Sequence, residues 1–307
     1  MKKRSVNFGL FFVVIVILML IPVSSANIFS DFFGKITGRA TSDTTALNIT
    51  VGNSAPTISL VEAIADTDPT IGTFKAITFN FTATDSDGAG NINTSTAAGY
   101  FQRAGETTRS NTSCSSWASA GNNANFTCTI DMWYFDQNGA WTVNVTIRDI
   151  NSATGTNSST TFTYNLLTAM NMSPSSLTWT SVGLTSTDTG SNNDPVQINN
   201  TGNDVGLNIN VTALSLRGEV TLTQFIYANN FTISNVTEGC SGTTMVNATS
   251  TNVTSALLYR GNNTWNYNND TSGQEQIYFC LKGVPQDISA QSYSSSAAGP
   301  WTVAVVT

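Results

Sequence analysis

The sequence contains no histidine, and only 10% of its 307 residues are charged, against about 25% in an ordinary soluble domain. Without imidazole there is no Ser-His-Asp or Cys-His pair, no histidine metal ligand and no histidine pH switch. Lys and Arg number 12 against 19 Asp and Glu, a net charge of -7, so the clustered cations that neutralise nucleic-acid phosphates are missing. Nucleic acid is excluded as a partner on that ground. What stands in place of charge is Ser, Thr and Asn, which make up roughly a third or more of the chain, far above usual composition. The apolar fraction of 40% is enough to build cores, so wholesale disorder is not expected.

The N-terminus sets the compartment. Lys2, Lys3 and Arg4 form a positive region, residues 8–21 are apolar apart from Gly9, and Ser24, Ser25 and Ala26 are small residues at a cleavage position. Residues 1–26 therefore read as a secretory signal peptide. An uncleaved N-terminal helix, the one expected route to a membrane, is the second reading, although about 14 apolar residues fall short of the roughly 20 that span a bilayer. Prepilin-type processing ranks third, because the early apolar stretch lacks a glutamate. Residues 300–307 alternate like a final strand, with no hydrophobic tail, so no second anchor is expected.

Export agrees with the sequons and the cysteines. About sixteen N-x-[ST] sequons follow the signal, where a shuffled chain would give on the order of eight; they include Asn48, Asn80, Asn111, Asn125, Asn144, Asn157, Asn210, Asn235, Asn252 and Asn269. These predict a carbohydrate coat, while Asn and Thr also suit the polar faces of strands. The four cysteines separate into Cys114 with Cys128 and Cys240 with Cys280. Three connectivities are possible, and the wide gap between the pairs favours one bridge in each half. Zinc is a poor alternative without a C-x-x-C pair or a histidine.

The body reads as all-β. Residues 27–55 form a tether with a short strand-like run, after which alternating runs begin and helical periodicity disappears. Ile77, Phe79, Phe81 and Ala83 alternate with Thr and Asn, as do Trp141, Val143, Val145 and Ile147, and Phe162 and Tyr164 close a third run. Each is a half-buried strand with a polar outer face. A restart at Met172, Ser173 and Pro174 places a boundary near residues 167–173, giving domains 56–168 and 169–307. In the second half, Val196 and Ile198, a polar turn at residues 199–203, and Val205, Leu207, Ile209 and Val211 predict a hairpin. Further runs at Phe231 to Ile233, Val253 to Leu257, Ile277 to Leu281 and Val303 to Val305 complete a pattern expected of β-sandwiches.

Residues 138–149, with a Gly turn, an aromatic at Trp141, alternating Val and Thr, and a closing Asp149, resemble the late-strand signature of bacterial and archaeal immunoglobulin-like repeats. Residues 174–216 resemble the opening of surface immunoglobulin-like domains, and the tether around residues 35–40 is similar to those of secreted archaeal surface proteins. The resemblance implies two immunoglobulin-like β-sandwich domains in tandem behind the signal and tether. It implies a surface-layer, filament or adhesion role and carries no catalytic residues. Cys114 and Cys128 depart from the antibody pattern, being too close in sequence for the inter-sheet bridge.

Three features could carry chemistry. Asp66, Asp68, Asp85, Asp87 and Asp149 lie in turn contexts that could offer calcium several oxygens, although Asp and Gly are also ordinary turn residues. A glycosidase carboxylate pair is the third-ranked reading. Aromatics could stack on sugars, with Trp133 and Phe135 expected in the core and Trp265 left open as a glycan contact. Leu47, Ile49 and Val51 alternate with Asn48 and Thr50 as an isolated strand, which could pair within its own domain, stay a linker, or be donated to a neighbour. Together these expectations describe a secreted, non-enzymatic surface protein, whose partners are itself or other surface proteins; the alternative is a glycan-binding adhesin module.

Overall fold

A computed structural model describes residues 47–180, 182–237, 239–261 and 273–307. The predicted signal peptide, most of the tether, Trp265 and Asn269 lie outside the described residues. The first half contains β1 (Thr57–Val61), β2 (Phe74–Thr84), β3 (Ile92–Gln102), β4 (Arg109–Asn111), β5 (Ser115–Ala120), β6 (Asn123–Trp133), β7 (Gly139–Asp149) and β8 (Thr154–Tyr164). One sheet has the order β1-β2-β6-β5 and the other β4-β3-β7-β8. Every named strand pair in them is antiparallel.

Period-two alternation decides this arrangement. Along β2, Ile77, Phe79, Phe81 and Ala83 are buried while Thr78 is exposed and Asn80 and Thr82 are half-buried. Along β7, Trp141, Val143, Val145 and Ile147 are fully buried. The two inner faces share one hydrophobic core, as packed sheets do. Phe81 stacks on Phe126 at 4.8 Å between ring centroids, and burying such a ring is worth about 1.5–3 kcal/mol. Gly99 on β3 lets the sheets approach: a Cβ there would lie 2.8 Å from the Cys128 Sγ and 3.0 Å from the Phe79 ring. The outer face of the β2–β6 pair is a polar ladder in which Thr82 donates to Asn125, Thr127 to Asn80 and Thr84 to Asn123.

The second half contains β9 (Met170–Ser173), β10 (Thr187–Gly190), β11 (Val196–Asn200), β12 (Leu207–Thr212), β13 (Leu216–Gly218), β14 (Phe225–Ile226), β15 (Phe231–Ser234), β16 (Thr243–Thr244), β17 (Ser250–Leu258), β18 (Gln274–Gly283), β19 (Tyr293–Ser294) and β20 (Thr302–Val306). Its sheets have the orders β16-β15-β18-β11-β9, with β10 also on β18, then β17-β12-β20 and β14-β13-β19. A second hydrophobic core fills the space between them. Residues 53–307 form one compact unit containing both cores, and residues 47–52 belong to a separate one.

The predicted hairpin over residues 196–211 does not form. β11 pairs with β18 and β9, whereas β12 pairs with β17 and β20, so the chain changes sheets between them. The polar stretch that resembles a hairpin turn is buried: Asn200 is 0% and Asn203 1% exposed, while Val205 is exposed outside β12. The β17 run also departs from strict alternation. Ser255 has a positive φ of 62°, and beyond it Ala256 and Leu258 turn inward while Leu257 is exposed. A local break in the extended backbone reverses which side chains face the core.

Candidate functional site

The five acidic residues divide between opposite ends of the first sandwich. At one end β2 runs into a turn in which the Asp87 N–H donates to Asp85 Oδ1 at 2.9 Å and the Gly88 N–H to the Asp85 carbonyl at 3.1 Å. Gly88 has φ 106°, a region that favours glycine. The Asn91 amide donates to Asp85 Oδ2 at 3.2 Å. Asp149, at the end of β7, accepts the Ala153 N–H at 2.8 Å and the Asn53 amide at 2.7 Å. Asn53 accepts from Asn91 and Asn151 in turn, and the Ser54 N–H reaches Asp87 Oδ2 at 2.7 Å. This network clamps the chain entering β1 to the turns after β2 and β7. The Asn53 amide holds the Asp149 carboxyl below the usual carboxylate range, assisted by the Ala153 N–H, against burial acting the other way.

Asp66 and Asp68 lie at the other end. Asp66 accepts the Thr163 N–H at 3.1 Å and Asp68 the Asn165 amide at 2.7 Å, while Thr67 forms a parallel bridge to Tyr164. Calcium takes six to eight oxygens. Among the described residues no three Asp, Glu or Cys side chains are grouped to hold a metal. Both oxygens of Asp85 and of Asp149 accept N–H donors rather than lining a shared cavity. The aspartates expected to offer oxygens to calcium thus fall into two separate groups, and their carboxylates brace turns.

The bridges Cys114–Cys128 and Cys240–Cys280 are both formed. Cys114 lies where the chain crosses from β4 in one sheet to β5 in the other, and the bridge ties that crossover to β6 within the core. Nine of the ten named sequon asparagines are described, and none is buried: Asn48 and Asn252 are exposed, and Asn80, Asn111, Asn125, Asn144, Asn157, Asn210 and Asn235 are half-buried. Several amides also join strands, as where Asn252 donates to Asn210 at 3.0 Å.

The aromatic triplet is mainly core. Tyr134 and Phe135 are buried and Trp133 is half-buried, stacked on Phe135 at 5.6 Å. Burial pushes the Tyr134 hydroxyl up to about 12. Beside the triplet, Arg109 pairs with the buried Asp136. Burial raises that carboxyl, and the Arg109 hydrogen bond and charge pull it down.

Sequence reasoning missed the junction of the two halves. The Asn203 amide donates to the carbonyls of Asp136 at 3.1 Å and Asn165 at 3.0 Å, and its oxygen accepts the Leu167 N–H at 2.7 Å. The Gly72 N–H donates to the Thr201 carbonyl at 2.9 Å. A Cβ on Gly202 would lie 2.0 Å from the Leu167 carbonyl oxygen, so the backbones pass too closely for a side chain. Arg260 forms a two-point ion pair with Glu106 at 2.8 and 2.7 Å. Nothing local distinguishes residues 199–203 from an exposed turn; the signal is only that so many polar residues lie together.

The second half also carries an apolar groove of about 840 Å³. Its apolar lining includes Met172, Leu177, Trp179, Phe231, Trp301 and Val303, and Ser and Thr side chains from residues 175–180 and 289–295 share it. Trp179 and Trp301 each meet Phe231 edge-on, at 5.2 and 5.1 Å. Their indole N–H groups donate to the carbonyls of Thr189 at 3.0 Å and Leu214 at 2.7 Å, which fixes both rings. Two carboxyls elsewhere in this half are raised: burial pushes Asp194 to about 6 and Glu275 to about 7.

Leu47, Ile49 and Val51 form no strand and are 80%, 75% and 85% exposed, so pairing within their own domain is not observed. Among the described residues no helix is long and apolar enough to cross a membrane. Compared with known protein families and with curated proteins, the chain matches none.

Proposed function

We propose that this chain is a secreted structural protein of a cell surface, N-glycosylated, that assembles with copies of itself or with other surface proteins. The carrying observation is the construction of the body: each half has a disulfide and an apolar core, and the outer face of the β2–β6 pair is a ladder of uncharged Thr and Asn. Disulfides persist in oxidising compartments outside the cytosol, and no described sequon asparagine is buried. The immunoglobulin-like reading draws support from the first half, whose strand order corresponds to ABED on one sheet and CFG plus one edge strand on the other. The reading assigns no catalytic residue.

Electron microscopy of native cell envelope and culture supernatant, with mass spectrometry of glycopeptides, tests it. Ordered sheets or filaments carrying modified Asn80 or Asn252 are the expected result; unmodified monomers in both fractions would reject it. A glycan-binding role is the second reading, favoured by Trp117 on β5, which stands 62% exposed where the ladder to β6 shifts register. Glycan-array binding lost in Trp117→Ala would establish that reading instead.

A further inference from the structure

The groove of the second half lies beside an unpaired sheet edge. β20 takes its ladder from β12 on one side only, among the described residues. Val303 and Val305 of β20 are half-buried against the core while Thr302, Ala304 and Val306 face outward. Met172, which also lines the groove, belongs to β9, the last strand of a different sheet, and none of the described residues from 174 to 184 is in a strand. An open edge with an apolar groove beside it is completed by one more strand whose alternate side chains point inward.

The chain has a segment with that pattern that joins no sheet among the described residues. Leu47, Ile49 and Val51 alternate with Asn48 and Thr50, matching the five residues of β20 in length. Strand geometry puts the apolar three on one face and the polar two on the other. They are exposed and unladdered.

Covalent reach excludes self-insertion. Asn53 is tied to Asp149 at the end of β7 and to Asn91 after β2. The junction with the second half is at the other end, where Gly72 precedes β2 and Asn165 follows β8. The eleven-residue β2 and β7 separate these ends, a distance of about 36 Å at the usual rise. From Asn53, segment 47–51 extends at most about 20 Å. We infer that residues 47–51 of one copy insert beside β20 of a second copy, with Leu47, Ile49 and Val51 filling the groove. Donor segment and acceptor edge are different surfaces of the chain, so the contact is head-to-tail and gives an open filament where its rotation does not close. The inference rests on the self-assembly reading above and names its contact.

The test uses secreted protein lacking residues 45–51 and a fluorescein-labelled peptide of residues 45–52. The deletion protein should stay folded with both disulfides, fail to form filaments, and bind the peptide with altered emission of Trp179 and Trp301. An Ile49→Asp peptide should bind at least tenfold more weakly. In the full chain, Ile49→Cys with Val303→Cys should give intermolecular cross-links, since opposed strand residues fall within disulfide range and no other free thiol is present. No peptide binding, or full-length Ile49→Asp assembling like the wild type, overturns the inference while leaving the assembly reading intact. A groove that takes a small aliphatic ligand but not the peptide also overturns it. Absence of any assembly of wild-type protein or native material counts against the assembly reading, whatever the peptide does.

Discussion

Replacing Asn203 by alanine isolates the contribution of the junction. The side chain is 1% exposed and satisfies three backbone groups, the carbonyls of Asp136 and Asn165 and the N–H of Leu167. Alanine removes every one of these partners without giving water an obvious route in. A buried backbone group left unpaired costs about 1–3 kcal/mol, and three in one place relax together, so the expected loss is about 3 kcal/mol rather than the full sum. Each half keeps its own core and disulfide, so the loss should fall on the coupling between them. Calorimetry should show the unfolding endotherm broadening or splitting, and proteolysis should cut near residues 165–172 sooner than in the wild type. Asn203→Asp should be worse than alanine, because it keeps the acceptor for Leu167 but points a carboxylate oxygen at two carbonyls. A loss under about 1 kcal/mol with a single unchanged endotherm would refute the junction as a buried polar lock.

Gly99→Ala should cost about 1–3 kcal/mol by overpacking, because its Cβ meets the Cys128 sulfur and the Phe79 ring; urea denaturation measures it. Removing Cys240 and Cys280 together should cost about 4 kcal/mol and removing Cys114 and Cys128 about 3, following the separations of 40 and 14 residues. A reversed order would show that loop entropy does not dominate. The raised carboxyls of Asp194 and Glu275 keep their protons in the folded chain over a range where the unfolded chain has lost them. Stability should therefore fall as pH rises from about 4 to about 7 and level off above, by about 1 kcal/mol per group after solvent screening. Melting temperatures across that range check this, and Glu275→Gln should flatten the upper part. Millimolar calcium should leave the melting curve unchanged, since N–H donors already occupy Asp85 and Asp149; a rise lost in Asp85→Asn would show that the amides swing aside to admit the ion.

Much of the fold was legible in the sequence because it is written in a short-range code. Period-two recurrence of apolar residues placed β2, β7, β8, β15, β18 and β20, since a period of two fixes which side chains face a core whatever lies across it. The spacing of the cysteines favoured the observed pairing because loop closure disfavours distant partners. What failed were places where a distant part of the chain changed the meaning of a local pattern. Residues 199–203 have the composition of a hairpin turn, but β11 and β12 enter different sheets and Asn203 is buried against Asp136, Asn165 and Leu167. Sequence likewise shows carboxylates and not their partners; folding sends Asp66 and Asp68 to one end and Asp85, Asp87 and Asp149 to the other, and gives each an N–H donor. The groove lined by Trp179 and Trp301 was invisible for the same reason, since these two residues lie more than a hundred positions apart in sequence. Local periodicity determined the strands, and only the packing of remote segments decided which polar groups are buried and which apolar edge stays open.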